Sequence, residues 1–180
     1  MPRERRKKRL QNRQKAGYIN TFKEFSQVIK ILFVCHGNIC RSPMAEFVMK
    51  DLVKKAGLEE QFHIASAATS AEEIGNPVYP PARRELQKHG IGCGGHAARR
   101  ITPEDYDRWD LLVGMDRANL SGMRRMWNGD PQGKVHALLG FAGRPGHDVA
   151  DPWYTGDFEA TWRDVLCGCQ GLLTQLRKQQ

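Results

Sequence analysis

The chain lacks any run approaching the roughly 18 uncharged apolar residues that a membrane-spanning helix requires. Its basic N-terminus is followed by no apolar segment of the kind that makes a secretory signal. It has no paired C-x2-C motifs and no H-x-H or H-E-x-x-H pair among its six histidines, so a metal site is not expected. Five cysteines, Cys35, Cys40, Cys93, Cys167 and Cys169, are an odd and modest set. That count excludes a disulfide scaffold and favours a reducing, cytoplasmic setting in which thiols serve chemistry or packing. Cys167 and Cys169, two apart on an expected helix, point about 200° apart and read as structural. Acidic charge is also scarce at one end. Residues 1–16 hold eight Lys or Arg against Glu4, a net +7 of the chain's +8, which leaves the other 164 residues nearly neutral. The surplus therefore describes a basic arm, expected to be disordered and able at most to attract an anionic partner.

What remains, with 40% hydrophobic and 27% charged residues in 180, is enough for one compact domain. After a short amphipathic stretch at residues 21–25, Val28–Val34 (VIKILFV) is an almost continuous, β-branched run, as in a strand buried on both faces. Phe62–Ala67, Leu111–Met115 and Val135–Phe141 read as further strands. Helical segments alternate with them: Ser42–Leu58, with Ser42 as N-cap and Pro43 at the first position, Ala82–His89, Arg117–Trp127 and Phe158–Arg177. A shorter helix capped by Thr102 is expected before the third strand, and a Gly/Pro-rich loop over 140–152. This alternation predicts the α/β class: a single doubly wound domain, a four-stranded parallel sheet with helices on both faces. Ligands of such sheets sit at the carboxyl ends of the strands, where strand order switches.

The segment Val34-Cys35-His36-Gly37-Asn38-Ile39-Cys40-Arg41-Ser42-Pro43 lies at such an end, between the first strand and the first helix. Unpaired amides and the positive end of the helix dipole stabilise an anion there, so this is a candidate phosphate-binding loop. The same field favours a nucleophilic thiolate on Cys35. Arg41 can grip a phosphate with two parallel hydrogen bonds, which Lys cannot. Gly37 permits close backbone approach or a positive φ, and Asn38 tolerates a left-handed backbone while its amide ties the loop. Ser42 can cap the helix and donate to the sulfur.

This string, with Met44-Ala45-Glu46 after it, resembles the signature V-C-x-G-N-x-C-R-S-P of the low-molecular-weight protein-tyrosine phosphatases. The resemblance extends over residues 29–177, through Ser66-Ala67-Ala68-Thr69, the segment His96-Ala97-Ala98-Arg99-Arg100-Ile101, Asp110 to Asn119, and Asp151-Pro152-Trp153-Tyr154. It implies residues 1–18 as the arm and 19–180 as the phosphatase-like domain, acting on phosphotyrosine proteins or small aryl phosphates without cofactor or metal. It implies that Cys35 attacks phosphorus, Arg41 and the loop from His36 through Ile39, Cys40 and Ser42 hold the oxygens, and Asp151 is the general acid. Asn38, Ser42, Ser66 and His96 would shape the loop, and Cys40 would form a protective disulfide with oxidised Cys35, packing being the alternative. Trp153 and Tyr154 would sandwich a phenyl ring. Many family members have an aromatic residue where this chain has Glu72, so one wall of the cleft is expected to be acidic. Two relatives of the same fold are weighed against this activity. Thioredoxin-coupled arsenate reductases need two further cysteines near Met115, and protein-arginine phosphatases carry Thr where this chain has Ile39.

Overall fold

In a computed structural model, the structure describes residues 28–178. The basic arm and the amphipathic stretch at 21–25 lie outside the described residues. Four strands, β1 (Ile29–Cys35), β2 (Phe62–Ala68), β3 (Leu111–Gly114) and β4 (Val135–Ala137), form one parallel sheet in the order β2-β1-β3-β4. Seven register pairs, from Ile29–Phe62 to Cys35–Ala68, join β1 to β2, and Ile31–Leu111 to Val34–Gly114 join it to β3. β1 is thus a central strand, which is why its run is apolar at nearly every position. Its side chains alternate between two cores. Ile31 and Phe33 pack with Met44, Leu86, Val165 and Leu172 on one face. Leu32 and Val34 pack with Trp109, Leu112, Met123 and Trp127 on the other.

The helices around the sheet are α1 (Arg41–Lys55), α2 (Pro80–Lys88), α3 (Asp105–Arg108), α4 (Arg117–Met126), α5 (Pro152–Thr155) and α6 (Phe158–Arg177), all but α5 contributing to these cores. α1 stops where Gly57 turns left-handed at φ 69° and the Leu58 amide reaches back to Val53 O. α4 crosses close over the end of β3. A Cβ on Gly114 would sit 2.9 Å from Leu120 Cδ2 and 3.3 Å from Met123 Sδ, so a larger residue there would have to push these two side chains aside.

Three local expectations are corrected. Ser42 does not cap α1: the helix starts at Arg41 with Cys40 as its cap and no side-chain capping bond. The Ser42 hydroxyl is instead engaged in the loop described below. Thr102 does not cap α3, whose N-cap is Glu104; Asp105 Oδ2 accepts from the Thr102 amide at 2.8 Å, reversing the expected direction. The fourth strand is only Val135–Ala137, and Leu138–Gly140 winds into a 3-10 turn. Leu138 and Leu139 are fully buried in that turn, and an apolar run of such length does not separate strand from buried turn.

Candidate active site

The strand order reverses between β1 and β3, and both strands open there into helix N-termini. Arg41, the first residue of α1, joins the two junctions. Its Nη1 donates to Asp116 Oδ2 at 2.6 Å and its Nη2 to Asp151 Oδ2 at 2.7 Å. Asp116 is the N-cap of α4, where its Oδ1 accepts from the Asn119 amide at 2.7 Å while Asn119 Oδ1 accepts from the Asp116 amide at 3.2 Å. Asp151 is the N-cap of α5, accepting from the Trp153 amide at 3.1 Å, and Gly156 at φ 71° ends that short helix. Two helix caps therefore converge on one buried guanidinium. Burial acts to lower the Arg41 pKa, but Cys35, Asp116 and Asp151 around it raise it overall, so it is a fixed cation.

Cys35 ends β1, buried, with its Sγ 3.0 Å from Ser42 Oγ and accepting from the Asn38 amide at 3.3 Å. Asn38, rather than Gly37, is the left-handed residue of the loop, at φ 58°. Gly37 serves close approach: a Cβ there would lie 3.2 Å from Glu73 Cγ. The fully buried Asn38 side chain is a hub. Its Nδ2 donates to Ser42 Oγ at 2.9 Å and to Ser66 Oγ at 2.8 Å, and its Oδ1 accepts from the Arg99 amide at 3.1 Å. Ser66 in turn donates to Glu46 Oε2 at 2.5 Å, and Lys50 donates to Glu46 Oε1. His96 Nε2 lies 2.8 Å from Asn38 O. A carbonyl only accepts, so this nitrogen carries the proton. Ser42 accepts from Asn38, which leaves its single hydroxyl proton for Cys35 Sγ or for Ala67 O at 3.3 Å. The Asn38 backbone amide and the Ser42 hydroxyl thus stand against the sulfur, both held by the side chains behind the loop.

The cavity in front of the loop, about 340 Å3, is lined by Cys35, His36, Gly37, Ile39, Cys40 and Arg41. Glu72, Asp151, Trp153 and Tyr154, all expected in the site, line it too. Asn38, Ser42, Ser66 and His96 stand behind the loop and do not line the cavity. Trp153 and Tyr154 are 60% and 85% exposed, free to meet an incoming ring, and Trp153 leans on Tyr79 with centroids 5.6 Å apart. Glu72 sits in the wall, 3.1 Å from His36 Nε2, both largely exposed. Burial, with Cys35 and Asp151 nearby, pushes the Cys40 thiol up to about 12, so it stays neutral near pH 7 beside Cys35. All five cysteines are free thiols.

Sequence reasoning missed Asp116, Glu46 and Glu73. Asp116 had a legible signal, the Asp-x-x-Asn spacing of a capping pair after β3. Glu46 stood in the quoted string, but its partner Ser66 is twenty residues away and only the fold brings them together. Glu73, which with Asp116 lines the cavity, had no signal. Among the described residues no group of three or more His, Cys, Asp or Glu is placed to hold a metal ion, and no helix is long and apolar enough to cross a membrane.

A strand–loop–helix cradle carrying a buried cysteine and a buried arginine at the switch point of a parallel sheet defines a class of α/β oxyanion-binding proteins. Within that class, the sequence model of the family described as low molecular weight phosphotyrosine protein phosphatase matches residues 30–180. The low molecular weight protein-tyrosine-phosphatase YfkJ of Bacillus subtilis is 37% identical over 154 residues, spanning 85% of this chain and 99% of that protein. Its crystal structure aligns at TM-score 0.83 and 36% identity, over 87% of this chain and 99% of that one. The low molecular weight phosphotyrosine protein phosphatase of Gallus gallus is 37% identical over 151 residues, 82% of this chain and 95% of that one. The crystal structure of DARP, a drosophila arginine phosphatase, aligns at TM-score 0.76 and 29% identity, over 82% of this chain and 98% of that one. The chain belongs to the low molecular weight phosphotyrosine protein phosphatase family.

Proposed function

We propose that the protein hydrolyses phosphotyrosine and other aryl phosphate monoesters by way of a phosphocysteine on Cys35. The observation that carries this reading is the convergence of Cys35, Arg41 and Asp151 on one cavity. The incoming phosphate takes over the Arg41 hydrogen bonds now made by Asp116 and Asp151, and the loop amides hold its remaining oxygens. The Cys35 sulfur then attacks phosphorus, the P–O bond to the phenol breaks, and Asp151, which takes up a proton from solvent once released from the guanidinium, gives it to the leaving oxygen. In the second half Asp151 takes a proton from a water that attacks phosphorus, and the S–P bond breaks to free phosphate and the thiolate. Asn38, Ser42, Ser66 and His96 hold the loop for this chemistry, and His36, Gly37, Ile39 and Cys40 form its floor and rim. Trp153 and Tyr154 flank the ring, with Glu72 on the wall. Cys40 is the resolving partner for Cys35 after oxidation.

Ile39 supports an aryl ester, because it offers a phenyl ring an apolar contact at the cavity. Glu72 and Glu73 favour the competing phosphoguanidine, whose flanking cation they would attract. Residues 1–18 are assigned no chemical role, and free cysteines fit a cytoplasmic setting. The test is turnover of p-nitrophenyl phosphate, a phosphotyrosine peptide and phosphoarginine by the parent and by Cys35→Ser. The reading expects the two aryl esters to be favoured and their hydrolysis abolished in the variant, with vanadate binding kept. Faster phosphoarginine turnover, or an active Cys35→Ser, overturns it.

A further inference from the structure

α4 carries three arginines and no acidic residue in its ten positions. Arg117, Ser121 and Arg124 follow at i, i+4 and i+7, so they and the adjacent Arg125 share one stripe of the helix. These residues, with Leu120 and Gly129, line an open groove of about 420 Å3. Arg124 and Arg125 are exposed and make no salt bridge among the described residues, while Arg117 is 3.8 Å from Asp148 with a largely exposed side chain. The groove runs along the same helix whose first turn reaches the candidate active site: Ala118 and Asn119 line the cavity in front of Cys35, and the groove begins at the neighbouring Arg117.

From the geometry we infer that this groove docks an acidic segment of a phosphotyrosine protein substrate, displaced along the chain from the phosphorylated residue. The inference rests on the phosphatase reading above. Arg124 and Arg125 lie about 10–12 Å along the helix axis from Arg117, at about 1.5 Å per residue. An extended peptide covers that span in three to four residues at about 3.3 Å each. Arg117 stands beside the cavity-lining Ala118 and Asn119, so acidic side chains at least that many residues from the phosphotyrosine reach Arg124 and Arg125, beyond the carboxylates of Glu72 and Glu73 in the cavity wall. A protein segment is favoured over a nucleic acid because the groove opens beside a cavity whose own wall is acidic, which repels a continuous phosphate backbone but tolerates spaced carboxylates.

The experiment compares the full chain with R124E/R125E on p-nitrophenyl phosphate and two phosphotyrosine peptides. One peptide carries Asp or Glu three to five residues from the phosphotyrosine; in the other these are Gln or Asn. The parent should prefer the acidic peptide, and the preference should shrink with added salt. The variant should lose about fivefold to tenfold in kcat/KM on the acidic peptide through KM. It should stay within about twofold on the neutral peptide and on p-nitrophenyl phosphate. Equal treatment of both peptides by the parent, or an unchanged preference in the variant, overturns the docking site while leaving the phosphatase reading intact. A parent inert toward every substrate would instead remove the reading beneath it. An RNA oligonucleotide retained through Arg124 and Arg125, with no acidic-peptide preference, would reassign the groove and refute the proposal.

Discussion

Replacing Asn38 by Ala and, separately, by Gly divides two contributions that this residue makes to the loop. Its side chain makes three hydrogen bonds, to Ser42, Ser66 and the Arg99 amide, at a fully buried position. At about 1 kcal/mol net each, removing them costs about 3 kcal/mol, since the stranded partners have no water to turn to. Its backbone sits at φ 58°, where a Cβ adds about 1 kcal/mol of strain that glycine escapes. Asn38 itself bears that strain, so Asn38→Ala should lose about 3 kcal/mol and Asn38→Gly, which relieves it, about 2. Urea unfolding followed by far-UV circular dichroism reads this directly. With a slope of about 2 kcal/mol per molar, the midpoint falls by about 1.5 M for Ala and about 1 M for Gly. Both variants should also bind phosphate more weakly, because the amide that faces Cys35 Sγ belongs to the same residue. A Gly variant less stable than the Ala variant would refute the left-handed argument. Losses under about 1 kcal/mol in both would refute the hub.

Asp151→Asn should slow p-nitrophenyl phosphate turnover by about 10²-fold or more, with larger losses for poorer leaving groups; equal losses across leaving-group pKa would contradict a proton donor. Glu72→Phe should lower KM for aryl phosphates by roughly 2- to 10-fold with little change in kcat, the gain of one ring contact opposite Trp153 and Tyr154; an unchanged KM would contradict the wall assignment. Asp105 gives a pH prediction. Burial acts to raise its pKa, but hydrogen bonds from Arg99, the Thr102 amide and Trp109 outweigh it and hold the carboxyl below its usual range. A carboxyl with a depressed folded pKa stabilises the fold above its unfolded value, near pH 4, and that stability drains away on further acidification. Asp105→Asn should be less stable than the parent at pH 7 and flatter in stability below pH 4, as urea midpoints at pH 7, 5 and 3 would report.

The parts of this molecule legible in its sequence are those where one local signal is tied to one physical need. β1 is buried on both faces, so an unbroken apolar run was required and is present. The loop from Cys35 to Arg41 joins a strand end to a helix start, and its residue types already specify an anion cradle. Ser42 shows where such reasoning fails. Its place before Pro43 suits a cap, but Cys35 and Asn38 compete for the same hydroxyl and win. The Leu138–Gly140 turn is as apolar as a strand because burial, not pairing, selects its residues. Asp116 and Glu46 matter through partners far away in sequence, Arg41 and Ser66, and no window of neighbouring residues contains that information. The acidic wall at Glu72 was legible only against the aromatic residue of the family pattern, and its pairing with His36 only in three dimensions.

The central claim is that Cys35 carries the phosphoryl group. The most direct measurement is rapid acid quench of the enzyme during turnover of p-nitrophenyl phosphate, followed by peptide mass spectrometry, using Asp151→Asn to slow breakdown of the intermediate. The account predicts a single phosphoryl group on the peptide containing Cys35, appearing with the burst of p-nitrophenol and absent from Cys35→Ser. A burst with no phosphorylated cysteine, or the phosphoryl group on Cys40 or any other residue, would contradict it.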